Sequence, residues 1–313
     1  MLNDTYVTEV TKTQSQTALL IKSLKNNKFY CPVLLGAKRS GGKYFLKLLT
    51  AILDEENRGT LHQIKVTADS ESVTSFDIQC LISDQELTDT YNLGVTPMTS
   101  FVHPANGKNY LILALWSNKN TKVRYTINSG VINLNNKRMS VNNIIFDEPH
   151  DCGLMFRSIS KVLVIDRKVH VWFASSLKGN NFVNPTGKVV DSYDYYKGEL
   201  IYLGNDVFQV TNISVCTGVK EHFTNSVGVG RSEIIFDEVN NHFIGFFSIR
   251  NAKGYHPLAT LMSADGIRWY SFANQAVPKS VRKLVFASKH ENFWTGNTRI
   301  SGSSSLEILA CDG

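Results

Sequence analysis

Apolar and polar positions alternate over short stretches along most of the chain. Lys43-Tyr44-Phe45-Leu46-Lys47-Leu48-Leu49, Val162 to Phe173 and Asn241 to Ser248 are rich in β-branched and aromatic residues, and Gly, Asn, Asp or Lys turns bound them. Alternation of period two between turn residues predicts strands with one face buried. Helical spacing fits only Gln14 to Lys25.

The strands recur in a fixed order. An apolar strand, a turn and a strand ending in small polar residues occur at 95–117, 156–176 and 230–250, with a weaker copy at 29–52 and a shorter one at 282–297. A third strand follows each: LHQIKVTADS, KVRYTINSG, YYKGELIYLGN, GYHPLATLMSADG and SSSLEILACDG. Five units average about 63 residues, the size of a four-stranded propeller blade with its connections. A β-sandwich matches the number of strands but not this recurring order. The expected fold is all-β: a five-bladed β-propeller with a central funnel, in a single domain over 1–313. Its approximate blades are 15–90, 91–148, 149–212, 213–280 and 281–313, with the N-terminal segment closing the ring.

Composition narrows the function classes. With 42% hydrophobic and 19% charged residues the chain can build a core and is not disordered. The longest clean apolar run, Tyr110 to Trp116, is far too short for a membrane-spanning helix. The polar N-terminus lacks the pattern of a signal peptide, so a cytoplasmic, non-membrane protein is expected. The net charge of +6 tolerates an anionic partner, but no dense Lys/Arg run suggests nucleic acid. Cys31, Cys80, Cys152, Cys216 and Cys311 are scattered without a C-x-x-C pair, and the histidines show no paired ligand spacing. No metal and no cofactor are expected. Gly36 to Lys43 has the look of a phosphate loop, but Lys does not directly follow the second glycine of such a pattern and the segment lies between strands; a hairpin turn is expected there.

Several short motifs point to a family. Arg231-Ser232 opens the strand of one unit, and Ser263-Ala264-Asp265-Gly266-Ile267-Arg268-Trp269 closes its third strand. Arg157-Ser158 repeats the opening one unit earlier, Leu53-Asp54-Glu55-Glu56-Asn57-Arg58-Gly59 follows the first hairpin, and Phe293-Trp294-Thr295-Gly296-Asn297 lies near the end. In these features the chain resembles the arabinanase- and invertase-like five-bladed propeller glycosidases, and within them a bacterial subgroup associated with surface-polysaccharide biosynthesis. The resemblance runs from about residue 29 to the C-terminus. It implies a carbohydrate substrate and acidic residues on the inner strands, because glycosidic cleavage uses one carboxyl group to protonate the leaving oxygen and another to activate water or attack the sugar.

On that resemblance Asp54 matches the first-blade acid, although the arginine expected before it is Leu53. Where a second-blade acid is expected the chain has Asn92, and where the acid glutamate is expected it has Ser226. Glu221, beside His222, is the nearest upstream carboxylate to that position. Asn57 would orient substrate, the alternative being an ordinary polar turn. Arg58, Arg157, Arg231 and Arg250 form the most suggestive set, with Arg157 and Arg231 aligned as equivalents: guanidinium forks bind carboxylate or phosphate bidentately, or else tie blades together. Trp116 either stacks on a sugar face or belongs to the core. Tyr255 and His256 follow Arg250 and join the set in second place. The expected partner is a small carbohydrate, anionic or nucleotide-linked, acted on at a glycosidic or sugar-phosphate bond. The alternative is a non-hydrolytic propeller that binds a sugar or a partner protein.

Overall fold

A computed structural model of the chain describes residues 6–12, 16–23, 28–53, 59–69, 71–82, 93–117, 128–136, 138–140, 143–147, 158–175, 181–183, 189–191, 194–222, 226–238, 240–251, 258–271, 285–287 and 305–311. Among them the protein is all-β. The strands are β1 (Tyr6–Lys12), β2 (Gln16–Ser23), β3 (Lys28–Ser40), β4 (Lys43–Leu53), β5 (Gly59–Ala68), β6 (Val73–Ile82), β7 (Leu93–Val102), β8 (Asn109–Ser117), β9 (Asn128–Asn133), β10 (Arg138–Ser140), β11 (Ile144–Phe146) and β12 (Ser158–Ile165). They continue as β13 (Lys168–Ser175), β14 (Asn181–Val183), β15 (Val189–Asp191), β16 (Asp194–Gly204), β17 (Val207–Val215), β18 (Ser226–Asp237), β19 (His242–Asn251), β20 (Leu258–Ser263), β21 (Tyr270–Ser271), β22 (Val285–Ala287) and β23 (Ser305–Cys311). A single 3-10 turn, Lys220–His222, is the only helical element among the described residues.

The chain divides into two compact units. The first comprises Met1–Pro97, Trp116–Val123 and Pro278–Gly313. It holds the antiparallel sheet β3-β4-β5-β6 and a second sheet, β1-β2-β23-β22, that joins the two ends of the chain. The 14–25 segment, where helical spacing was expected, contributes β2 instead. Its residues pair with both β1 and β23, so the ladder on two sides overrides a local preference that is weak to begin with. In β4 the alternation seen in the sequence is literal: Tyr44, Leu46 and Leu48 are buried, while Lys43, Phe45 and Lys47 are exposed. Together with Ile21, Phe29, Ile52, Ile64 and Val66 they form this unit's core. Gly41 and Gly42 close the β3–β4 hairpin with φ of 58° and 76°, so the phosphate-loop-like run is the end of β3, a two-residue turn and the first residue of β4.

The second unit comprises Met98–Leu115 and Arg124–Val277. It carries the sheet β10-β9-β8-β7, the five-stranded sheet β11-β17-β16-β13-β12, the sheet β18-β19-β20-β21, and a separate hairpin, β14-β15. β13 lies between β12 and β16 and is buried from Val171 to Ser175, which explains its unbroken apolar run. One of its faces packs with Tyr110, Ile112 and Val131 through Val171 and Phe173. The other packs with Ile234, Phe243 and Phe247 through Trp172 and Ala174. Asp166-Arg167 and Asn205-Asp206 connect their hairpins with positive φ at both positions, the two-residue geometry that matches strand twist.

Candidate functional site

The strongest clue to site geometry is the way β12 and β18 meet. They are edge strands of separate sheets, yet Ser160 Oγ lies 2.9 Å from Ser232 Oγ, and Lys161 Nζ forms an ion pair with Glu233. Both contacts join residues 72 positions apart. A constant positive offset means that the two strands run side by side in the same direction, so they begin at the same end.

The serine contact is buried and closed by a third hydroxyl. Tyr195 Oη is 2.7 Å from Ser160 Oγ and also hydrogen-bonds Ser232. Burial raises the Tyr195 phenol far above its ordinary pKa, outweighing the two serine hydrogen bonds, so the group stays neutral and can both donate and accept. The sequence motifs had aligned Arg157-Ser158 with Arg231-Ser232. The structure pairs Ser232 with Ser160, the second serine of Arg157-Ser158-Ile159-Ser160, and not with Ser158.

A second set of contacts holds the neighbouring sheet. The Ser263–Trp269 turn wraps around the Asp265 carboxylate, which accepts from the amides of Ile267 and Arg268 at 2.8 Å, from Ser263 Oγ at 3.0 Å and from Arg268 Nε at 2.8 Å. Partial burial works to raise the Asp265 pKa. The hydrogen bonds from Arg268, Ile267 and Ser263 win, and hold it well below the usual carboxylate range. The turn docks on the exit of β17: Thr217 N donates to Ile267 O and Trp269 N donates to Thr217 O, both at 2.9 Å. Trp172 Nε1 donates to Gly266 O at 2.9 Å, and Lys197 Nζ donates to Asp265 O at 2.6 Å while sitting 5.6 Å from the Trp172 ring centre and 5.3 Å from that of Phe243. Trp269 is buried against Phe247, so this motif ties the turn to its own sheet.

Asp54, Asn57 and Arg58 lie outside the described residues, in the connection between Leu53 and Gly59, which pair with one another. Leu53 also pairs with Lys28, the first residue of β3. Arg157 lies outside the described residues, immediately before β12, and Tyr255 and His256 lie outside them between β19 and β20. The backbone of Trp116 is the penultimate position of β8. Arg231 falls in β18 at a bulge, where Gly230 and Arg231 intervene between the Val229↔Ile249 and Ser232↔Phe247 pairs. Bulges re-aim side chains and are common beside functional sites. Arg250 pairs with Gly228 near the start of β18. Glu221 is exposed in the 3-10 turn that leads into β18, and its carboxylate accepts from Gly218 N at 2.9 Å. That bond closes a tight turn, since Gly218 has φ of 81° and a Cβ there would lie 1.9 Å from Trp269 O.

Within the second unit, Glu221 and Arg250 thus lie towards the end of the β18 sheet where β18 begins and β19 finishes, while Arg231 lies at the middle of β18, beside the Ser232 contact with β12. Sequence reasoning missed the Ser160–Tyr195–Ser232 cluster and the Lys161–Glu233 pair. The available signal was a polar dipeptide, Ser160-Lys161 or Ser232-Glu233, directly before the apolar run of these two units.

No known protein family matches the chain by sequence, and no curated protein does. Solved structures do match. A single-site mutant of B. megaterium levansucrase aligns with a TM-score of 0.51 at 9% identity, over 92% of this chain and 84% of that one. A second mutant of the same enzyme gives 0.50 at 9% identity, over 92% and 83%. Zg3597, a family 117 glycoside hydrolase of the marine bacterium Zobellia galactanivorans, gives 0.48 at 11% identity, over 98% and 90%. The levansucrase likeness shows that the fold is of the β-propeller type.

Proposed function

We propose that this chain is a carbohydrate-active five-bladed propeller, a single domain whose ligand site lies at the funnel end where the first strand of each blade begins. The single observation that carries the reading is the parallel, side-by-side run of β12 and β18, which brings their starting ends together. In a propeller, ligands bind where inner strands and loops of several blades meet. The levansucrase-like fold supports a carbohydrate as the ligand.

In this reading Asp54 acts as base or orienting acid and Asn57 orients the sugar. Arg58, Arg157, Arg231 and Arg250 hold an anionic group such as a carboxylate or phosphate, and Trp116, Tyr255 and His256 line the site. The substrate is a small anionic or nucleotide-linked sugar, acted on at a glycosidic or sugar-phosphate bond in surface-glycan assembly in the cytoplasm. Glu221 is the remaining acid candidate, with one of its carboxylate oxygens engaged by the Gly218 amide. A specific observation favours a second reading, a non-hydrolytic propeller that binds a sugar or partner protein: Asn92 and Ser226 stand where carboxylates are expected.

A thermal-shift screen against nucleotide sugars, sugar phosphates, acidic sugars and neutral oligosaccharides, with products followed by mass spectrometry, tests both. A ligand at about 100 times its Kd stabilises the fold by roughly 2.7 kcal/mol. A shift with turnover supports the enzyme, and a shift without turnover supports the binding protein.

A further inference from the structure

The two contacts between β12 and β18 differ in kind. Ser160 and Ser232 are buried, whereas one residue further along, Lys161 is 17% exposed and Glu233 is 48% exposed. An ordinary surface ion pair contributes little because two long side chains must be ordered to form it. Here the backbones on both sides are fixed by the adjacent serine contact, and the Lys161 stem is mostly buried. The pair therefore presents its charges in a set geometry before any ligand arrives.

It also keeps bonding capacity. A carboxylate offers about four acceptor positions and an ammonium about three donors. Among the described residues, the hydrogen bond between Lys161 and Glu233 is the only one either side chain makes. An acceptor and a donor held in contact complement two adjacent hydroxyls, whose oxygens also stand about one hydrogen-bond length apart. Arg231 precedes Glu233 by two positions in β18, no more than about 7 Å along a strand. One small sugar can span that distance.

We propose that Lys161 and Glu233 are a diol-binding pair: one sugar hydroxyl donates to the Glu233 carboxylate and its neighbour accepts from Lys161 Nζ. The proposal deepens the carbohydrate reading above and rests on it. It adds a specificity element that selects sugars with two free adjacent hydroxyls, beside whatever holds an anionic substituent.

The test is calorimetric titration of the full chain with D-galacturonic acid, N-acetylneuraminic acid, glucose 1-phosphate, UDP-glucose and sucrose. Wild type is compared with Glu233→Gln, Lys161→Met and Lys161→Arg, and each protein's unliganded Tm is recorded. The expected result is binding of at least one probe by wild type and at least a tenfold loss in Glu233→Gln and in Lys161→Met. Lys161→Arg should retain most of the affinity, and unliganded Tm values should stay within a few degrees. If a probe binds wild type and both variants alike, the pair is overturned while the carbohydrate reading stands. A collapse of unliganded Tm in Glu233→Gln would make the pair a structural tie and overturn its assignment to ligand. If wild type binds no probe, the carbohydrate reading itself falls, and the diol pair with it.

Discussion

Ser160 and Ser232 touch through their hydroxyls at 2.9 Å, although 72 residues and a change of sheet separate them. Both are buried, and Tyr195 completes the cluster from β16. This contact sets the register of two strands that share no ladder, and with it the level at which Arg231 stands relative to β12.

If the cluster acts as a unit, its members are energetically coupled. Ser160→Ala and Ser232→Ala should each cost about 1–3 kcal/mol, because each leaves a buried hydroxyl short of a partner. The double variant should cost less than the sum, with a coupling of about 0.5–3 kcal/mol. Urea denaturation of the four proteins measures this, and strict additivity would show that the hydroxyls do not cooperate.

Glycine is required at residue 218 for two reasons and at residue 41 for one. Both have positive φ, but a Cβ on Gly218 meets Trp269 O at 1.9 Å, while one on Gly41 meets nothing within 4 Å. Gly41→Ala should therefore cost only the left-handed strain, about 1–2 kcal/mol. Gly218→Ala adds an overlap with backbone that cannot swing aside, and should lower the denaturation midpoint well beyond Gly41→Ala. Equal midpoints would mean that the Thr217–Trp269 docking can shift to accommodate a methyl group.

Asp265 makes stability depend on acid. Its pKa is depressed in the folded chain, so its contribution is complete above the ordinary carboxylate pKa of about 3.9 and fades as pH falls towards the folded value. Wild type should lose stability between about pH 4 and about pH 2 through this group. Asp265→Asn should be less stable near neutrality and show a shallower acid slope. Denaturation midpoints across that range measure both, and parallel slopes would contradict the role given to the carboxylate.

The Cys216 thiol should be inert in the folded protein. Burial pushes its pKa up to about 12, against smaller lowering contributions from Trp269 and Lys197. At about pH 8 it carries almost no thiolate, the reactive form. Alkylation with iodoacetamide, mapped by mass spectrometry, should label exposed Cys80 in the folded chain and Cys216 only after denaturation. Labelling of Cys216 at the same rate as Cys80 would show that the Trp172–Gly266 contact opens readily.

Much of the strand order was legible in the sequence, because the hairpins at 29–52, 95–117, 156–176 and 230–250 carry both period-two alternation and turn residues. They correspond to β3–β4, β7–β8, β12–β13 and β18–β19. The Ser263–Trp269 turn was legible as well, since a glycine with φ of 73° and an aspartate gathering amides leave a mark in residue types. β2 was not, because QTALLIKS becomes a strand through pairing with residues nearly three hundred positions away. The level of Arg231 against β12 was not legible either: it depends on a bulge and on a serine contact between sheets, and neither has a local signature. Glu221 was legible as a carboxylate near β18, but not as the group that closes the Gly218 turn.

We infer that a carbohydrate binds at the end of the sheets where β12 and β18 begin. The most direct test is the thermal-shift screen repeated on Arg231→Ala and Arg250→Ala. An anionic or nucleotide-linked sugar should raise the Tm of wild type, and both substitutions should remove the shift while leaving the unliganded Tm nearly unchanged. A sugar-induced shift that survives both substitutions would contradict the placement of the site, and the absence of a shift with every sugar class would contradict the function.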